Sequence, residues 1–265
     1  MSSPSEAERF NQDAWDKIAA QGDRLFRALD ESQIESARRG DVRINLTPIK
    51  RVPDDWLGKL VGLNVLCLAC GGGQQGPLFA AAGANTTVFD LSEQQLERDR
   101  SVAEQFNLQL QTVQGNMTDL SAFSANQFDL VVNPCSVCYC PDVGPIWSEV
   151  FRITKPGGHF LTGFIKPVNY LFDAILSDEG TLHVRHKIPY ADNQLPVEEQ
   201  EKLLAPDRPI EFGHSLSSLI GQQLEAGFRL VGFYEDRWGG DDILSNHIDV
   251  FAATRSLKPT VAAGN

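Results

Sequence analysis

No apolar run in this chain approaches the ~20 residues that a membrane-spanning helix needs, so no spanning segment is expected. The first residues, MSSPSEAERFNQDAWDK, carry no apolar signal core, and a cytoplasmic protein without membrane partners is expected. Basic residues are scarce: 23 Lys and Arg stand against 35 Asp and Glu, a net charge of -12. Binding a phosphate backbone needs Lys and Arg, so the balance argues against nucleic acid as a partner. The densest basic stretch, Arg38, Arg39, Arg43, Lys50 and Arg51, has acids on either side and reads as a solvated face. Internal repeats and low-complexity tracts are lacking. Five cysteines, an odd number with no export signal, point to reduced thiols rather than a disulfide framework. What remains is a 265-residue chain, 42% hydrophobic, long enough for one large domain or a core with an insertion.

The most informative stretch is VLCLACGGGQQG, Val65 to Gly76. An apolar run that enters three consecutive glycines reads as a buried parallel strand ending in a tight turn beneath a helix N-terminus. Glycine lets a ligand approach the backbone closely. The free N–H groups of the next helix then face that ligand. Asp90 closes the next apolar run, TTVFD, and an acid there can accept from a ribose diol. Turn and acid together call for a nucleoside-bearing cofactor.

Around this turn the chain alternates. Residues 4 to 37 place Phe10, Trp15, Ile18, Leu25, Phe26, Leu29 and Ile34 at helical spacing, one or two amphipathic helices ahead of the core. Strands are expected at 63–69, 86–90, 109–113, 128–133 and 159–165. Helices are expected at 75–83, 93–106 and 144–154, the last ending before a KPGG turn. Pro77 suits a first helical turn, and Ser92 with Gln95 has capping-box spacing. Strands alternating with helices give a doubly wound α/β fold around a mostly parallel sheet. The pattern breaks at 168–213, an insertion with few strand signals, and a helix at 215–226 resumes the core. Two strands follow, 228–235 and 247–255. The eleven residues between them, DRWGGDDILSN, leave no room for a crossover helix, so the pair is an antiparallel hairpin. The tail LKPTVAAGN is expected to fray.

Gly71, Gly73 and Gly76 satisfy G-x-G-x-x-G, with Asp90 nineteen residues after Gly71, which fits a dinucleotide fingerprint. A second resemblance is more specific. Over roughly residues 60 to 255 the chain resembles the class I S-adenosylmethionine-dependent methyltransferases, in particular a type 11-like, uncharacterised bacterial branch with a similar cysteine–glycine turn. VLCLACGGG sits at that family's first glycine motif and FDLSEQQL at its ribose-acid strand. QGNMTDL, 114 to 120, resembles its adenine-flanking segment, FDLVVNPCSV its fourth strand, and EVFRITKPGGHFLTGF its last parallel helix, glycine turn and fifth strand. The resemblance implies a Rossmann-like, seven-stranded sheet, with residues 1–58 as a helical cap, 59–255 as the core, 168–213 as a lid over the acceptor pocket and 256–265 as the tail. It implies S-adenosylmethionine as cofactor. Ala69, Gly71 and Gly73 would line its methionine part, and Cys70 and Gln75 would also contact the cofactor. Asp90 would hold the ribose, Leu91, Asn116 and Met117 would flank adenine, and Asn133 would lie near the methionine amino group or the reactive methyl. The chain departs from the family pattern at Cys67, Ala69 and Asn116, which removes polar contacts.

His186 and Tyr190, in the insertion, are the candidate bases for an acceptor proton. His183, His214, Tyr234, Asp236 and Trp238 are candidate acceptor-pocket residues, the last three near a strand end where open sheets gather ligands. Cys67 and Cys70, with Cys135, Cys138 and Cys140, fall on neighbouring strands. They read as small side chains beside the cofactor rather than a metal site, a reading that stoichiometric zinc would overturn. The expected activity is methyl transfer to a small molecule by direct displacement. Alternatives are a nicotinamide-dependent oxidoreductase and a non-catalytic cofactor-binding protein.

Overall fold

The structure, a computed structural model, describes residues 5–21, 29–204 and 208–260. The expected helical positions Leu25 and Phe26, and residues 261–265 of the tail, lie outside the described residues. Two helices precede the sheet, α1 (Glu6–Gln21) and α2 (Glu31–Arg38). A complete capping box starts α2: Asp30 accepts from Gln33 N while the Gln33 side chain returns to Asp30 N. One turn, α3 (Asp54–Leu57), leads into the alternating region. There β1 (Asn64–Leu68), α4 (Gln75–Ala81), β2 (Asn85–Asp90), α5 (Glu93–Gln105) and β3 (Leu110–Gln114) form the first half. β4 (Phe128–Asn133), α6 (Gly144–Ile153) and β5 (Thr154–Ile165) complete the parallel set.

The insertion folds into short pieces: α7 (Ala174–Asp178), β6 (Tyr190–Ala191), α8 (Val197–Leu203) and β7 (Phe212–Gly213). The two-residue strands β6 and β7 pair with each other, apart from the main sheet. A π-helical turn, Ser217–Gly221, runs into α9 (Gln222–Glu225), so the expected helix at 215–226 exists but changes pitch midway. β8 (Arg229–Asp236) and β9 (Phe251–Leu257) are antiparallel, as the short connection requires. The main sheet has the order β3-β2-β1-β4-β5-β9-β8. β5 begins five residues earlier than expected and absorbs the KPGG turn, because Thr154 already pairs with Phe128 before a register shift.

Strand alternation explains the core. Val65 and Cys67 point to one face, where Ile34, Phe79, Val88 and Leu161 pack. Leu66 and Leu68 point to the other, against Phe89, Trp147, Val150 and Phe160. With both faces covered, the central strands read as unbroken apolar runs rather than as alternating ones. The strand order reverses between β1 and β4, and at such a switch point the carboxyl ends of the strands open a crevice.

The segment ahead of α3 packs tightly across this end of the sheet. Leu46 O accepts from Cys135 N at 3.1 Å. A Cβ on Gly163 of β5 would lie 1.9 Å from Leu46 O, closer than any two such atoms can approach. Gly163→Ala must therefore push the segment off β5. Denaturant unfolding should show a loss of about 3 kcal/mol or more, and an unchanged midpoint would mean that the segment yields freely.

Candidate cofactor and acceptor cavity

The turn after β1 is shaped by close approaches. Ala69 takes a left-handed backbone, φ 47°, at the position where the family pattern has glycine, a conformation that costs about 1–2 kcal/mol for a residue with a Cβ. Its N–H donates to Phe89 O at 2.7 Å, which seats the turn on β2. Gly71 N donates to Asp90 Oδ2 at 2.8 Å, and Ser92 N, at the head of α5, donates to Asp90 Oδ1 at 3.0 Å. Asp90 thus braces the turn against α5 while facing a cavity. Burial lifts the Asp90 carboxyl above its usual value, against the pull of these backbone donors.

The cavity, about 240 Å³, opens at the switch point. Its floor is the turn, with Ala69, Cys70, Gly71 and Gln75, and Asp90, Leu91, Asn116 and Met117 form one side. Eight of the ten residues expected to hold the cofactor are therefore brought together. Gly73 and Asn133 are not among the lining residues. Gly73, φ 77°, turns away, and a Cβ there would sit 3.0 Å from Arg98 O of α5. Asn133 is fully buried beneath the cavity. Its Nδ2 donates to Leu68 O at 2.9 Å and Ser136 Oγ at 2.7 Å, and its Oδ1 accepts from Thr162 Oγ1 at 2.9 Å. It ties β1, β4 and β5 together and holds Ser136, which does line the cavity.

The opposite wall comes from α1, part of the expected cap, and from the turn after β4, where only the cysteines were expected beside the cofactor. α1 contributes Glu8, Asn11 and Trp15. Cys135 and Cys140 belong to this wall as well, with Tyr139 between them, on the 3-10 turn after β4. Trp15 and Tyr139 meet edge to face, their centroids 5.1 Å apart. Asn11 is 2% exposed and clamps α1 down. Its Oδ1 accepts from Ile210 N at 2.7 Å, and its Nδ2 donates to Ile210 O at 3.0 Å and Tyr139 O at 3.2 Å. Asn116 Nδ2 donates to Glu8, and Ser92 Oγ donates to Asp16, so the first turn and the middle of α1 are both pinned to the core. The sequence pointed to α1 as part of a cap, but not to which of its residues would face the cavity.

The expected acceptor residues lie elsewhere. His186 and Tyr190 border a separate shallow cleft with Asp173, Arg185 and Glu199. Tyr190 stacks on Tyr170, and its hydroxyl donates to Asp192 Oδ1 at 2.7 Å; burial and that carboxylate push the phenol further up. Burial and the Arg185 guanidinium lower the His186 pKa. His183 is exposed. His214 is buried behind the 3-10 turn, its Nε2 3.3 Å from Val137 O. Tyr234 packs on Trp56, and Trp238 meets Phe251 edge to face. Asp236, 1% exposed, accepts from Thr47 Oγ1, Ile49 N and Lys50 N. Burial alone would raise the Asp236 carboxyl, but the N–H donors of Lys50 and Ile49 hold it below its usual value. These residues organise the insertion and the sheet edge; none is among those lining the cavity. Of the cysteines, Cys70, Cys135 and Cys140 line it, while Cys67 is buried in β1 and Cys138 packs behind.

A second carboxylate, Asp99 of α5, lies under the turn and is fully buried. It accepts from Gly72 N at 2.9 Å and also from Gly73 N. Burial pushes its pKa up to about 7. The folded protein therefore keeps this proton between about pH 4 and pH 7 while the unfolded chain releases it, so stability falls as pH rises through that window. Asp99→Asn, which retains an acceptor oxygen, should flatten that slope and raise the melting temperature at pH 8 relative to the parent. Parallel pH profiles for the two proteins would show Asp99 to be ionised without penalty.

A methyltransferase-domain family model matches residues 66–162. The chain is 46% identical over 249 residues to the uncharacterized methyltransferase YbaJ of Bacillus subtilis, covering 94% of this chain and 97% of that protein. It is 32% identical over 195 residues to a ubiquinone biosynthesis O-methyltransferase of Psychrobacter cryohalolentis, covering 68% and 71%. Among solved structures, an S-adenosylmethionine-dependent methyltransferase from Mesorhizobium loti shares the fold with a TM-score of 0.59 at 16% identity, over 76% of this chain and 94% of that one. A Burkholderia thailandensis 1,6-didemethyltoxoflavin N1-methyltransferase, solved with 1,6-didemethyltoxoflavin and S-adenosylhomocysteine, does so with a TM-score of 0.58 at 14% identity, over 98% and 92%. After β5 the sheet ends in an antiparallel pair instead of the further parallel strands of a dinucleotide fold. With its glycine turn, the acid that closes β2 and a relative matched along nearly the whole chain, this protein belongs to the class I S-adenosylmethionine-dependent methyltransferases.

Proposed function

We propose that the chain transfers a methyl group from S-adenosylmethionine to a small-molecule acceptor held between α1 and the 3-10 turn after β4. The observation that carries this reading is the single cavity in which the turn, Asp90 and the inner face of α1 meet. The residues present fit the cofactor. A Cβ on Gly71 would lie 2.7 Å from Gln95 Cβ and 3.0 Å from Asp90 Oδ2, so only glycine leaves the backbone open there. Gln75 Nε2 donates to Asn45 O at 2.8 Å, while its Oε1 is buried with no partner among the described residues. That oxygen suits an ammonium group at the methionine end. Asp90, braced by Gly71 and Ser92, retains lone pairs for two ribose hydroxyls. Leu91 and Met117 offer apolar surface to the base.

When bound, the cofactor supplies an electrophilic methyl on a sulfonium. The protein's contribution is placement. Trp15 and Tyr139 wall the side away from the ribose with aromatic surface, and Cys135 and Cys140 keep it narrow. No Lys, Arg or His is among the lining residues, so the wall favours an uncharged or cationic acceptor over an anionic one. Holding acceptor and methyl in line can account for ~7–11 kcal/mol of the barrier. Asn11 and Glu8 hold α1 over the cavity and keep water out of it. Residues 1–58 would thus act as the cap, with 168–213 supporting it through Ile210 rather than contributing a base. A small-molecule acceptor is in line with the names of two similar proteins, the ubiquinone biosynthesis O-methyltransferase of Psychrobacter and the Burkholderia enzyme solved with 1,6-didemethyltoxoflavin. No helix among the described residues is long and apolar enough to cross a membrane, and all five thiols are free. Both facts are in line with a cytoplasmic enzyme.

S-adenosylhomocysteine at about 100 times its dissociation constant should stabilise the protein by roughly 2.7 kcal/mol, a melting shift of about 5–10 °C at this size. A shift with NADH alone would reverse the cofactor assignment. Asp90→Ala should raise the Kd for S-adenosylhomocysteine about 100-fold, since two hydrogen bonds to a charged group are lost. An unchanged affinity by titration calorimetry would remove Asp90 from the site.

A further inference from the structure

The capping box expected from Ser92 and Gln95 is only half formed. Gln95 N donates to Ser92 Oγ at 3.1 Å, as the motif requires. The reciprocal bond, from Ser92 N to the Gln95 side chain, is missing because Ser92 N donates to Asp90 Oδ1 instead. The Gln95 carboxamide is thereby released from its local role. It is 2% exposed, and neither its Oε1 nor its Nε2 has a hydrogen-bond partner among the described residues. A buried carboxamide unpaired at both ends is costly and calls for an explanation.

Its position supplies one. Gln95 lines the cavity on the Asp90 side of the turn, where the missing Cβ of Gly71 faces Gln95 Cβ and Asp90 Oδ2 together. Its main-chain carbonyl accepts from Gly72 N at 3.2 Å, which fixes the residue against the turn. We infer that Gln95 is a second ribose-reading residue, its carboxamide hydrogen-bonding the hydroxyls that Asp90 engages. The inference rests on the S-adenosylmethionine reading above. The chemistry is complementary: an ionised Asp90 only accepts, whereas each ribose hydroxyl both donates and accepts. A hydroxyl that donates to Asp90 still has lone pairs for Gln95 Nε2, and Gln95 Oε1 can accept from its neighbour. By taking the cap donor of α5, Asp90 both braces the turn and frees its partner for the ligand.

The test is Gln95→Met in the full chain, which keeps the length of the side chain and removes both polar groups. Two readouts should move in opposite directions. The ligand-free melting temperature should rise, because an unpaired buried amide is gone. The Kd for S-adenosylhomocysteine and for 5′-methylthioadenosine, which lacks the amino-acid tail, should rise about 10-fold for each. A lower melting temperature with unchanged Kd values would overturn the inference and make Gln95 structural. A loss confined to S-adenosylhomocysteine would overturn it too, by moving the contact to the amino-acid tail. Gln95→Leu reads the same quantities if the methionine variant does not fold. Failure of the parent protein to bind either compound would instead sink the cofactor reading, so the two failures are distinct.

Discussion

The carboxylate of Asp90 connects the parts of this site. One oxygen takes the Gly71 N–H and the other takes the Ser92 N–H, so a single side chain at the end of β2 sets the distance between the turn after β1 and the head of α5. Both bonds run from backbone donors to a carboxylate, and such charge-assisted bonds are the strong ones. If this brace moved, the turn would lose the curvature that brings bare backbone to the cavity, and α5 would shift against Gly73 and Gly76. Gly76 belongs to the same packing, since a Cβ there would meet Val88 at 2.5 Å and Asp99 at 3.0 Å.

Two acids, Asp90 half-buried and Asp99 fully buried, therefore serve one glycine turn from opposite sides. Asp90 faces the cavity, while Asp99 lies beneath it and accepts from the next N–H groups along the chain. Each is raised by burial, and each is partly compensated by backbone donors. The arrangement concentrates polar strain under a loop that must stay open to a ligand. Such strain is tolerated where a rigid sheet fixes the surroundings. Here the surroundings are the central strands, and Asn133 ties the carboxyl ends of β1, β4 and β5 together from below.

The other half of the cavity is assembled across long sequence distances. Asn11 joins α1 to Ile210 and Tyr139, and Glu8 meets Asn116. These contacts bring an N-terminal helix, the turn after β4 and the end of the insertion to one wall. The insertion contributes support more than lining, and its polar residues bond mainly within it: Arg185 to Asp173 and Glu199, Tyr190 to Asp192, Tyr170 to Glu211. That self-sufficiency explains why His186 and Tyr190, reasonable bases by residue type, lie outside the cavity.

By itself the sequence determined the elements and the glycine turn with its neighbouring acid. Apolar periodicity is a local property, so strand and helix positions were legible to within a few residues, and the short link between β8 and β9 dictated their antiparallel pairing. The glycine turn and Asp90 were legible for the same reason, because a tight turn at a strand end needs particular residues at particular spacing. Only the tertiary structure decided the opposite wall of the cavity. Which face of α1 covers the cavity, that Tyr139 rather than Tyr190 lines it, and that Gln95 is set free by Asp90 all depend on contacts between residues far apart in the chain or on competition for one donor. Residue type and spacing carry no record of such competition; it is settled when the packed sheet brings the rivals within hydrogen-bond reach.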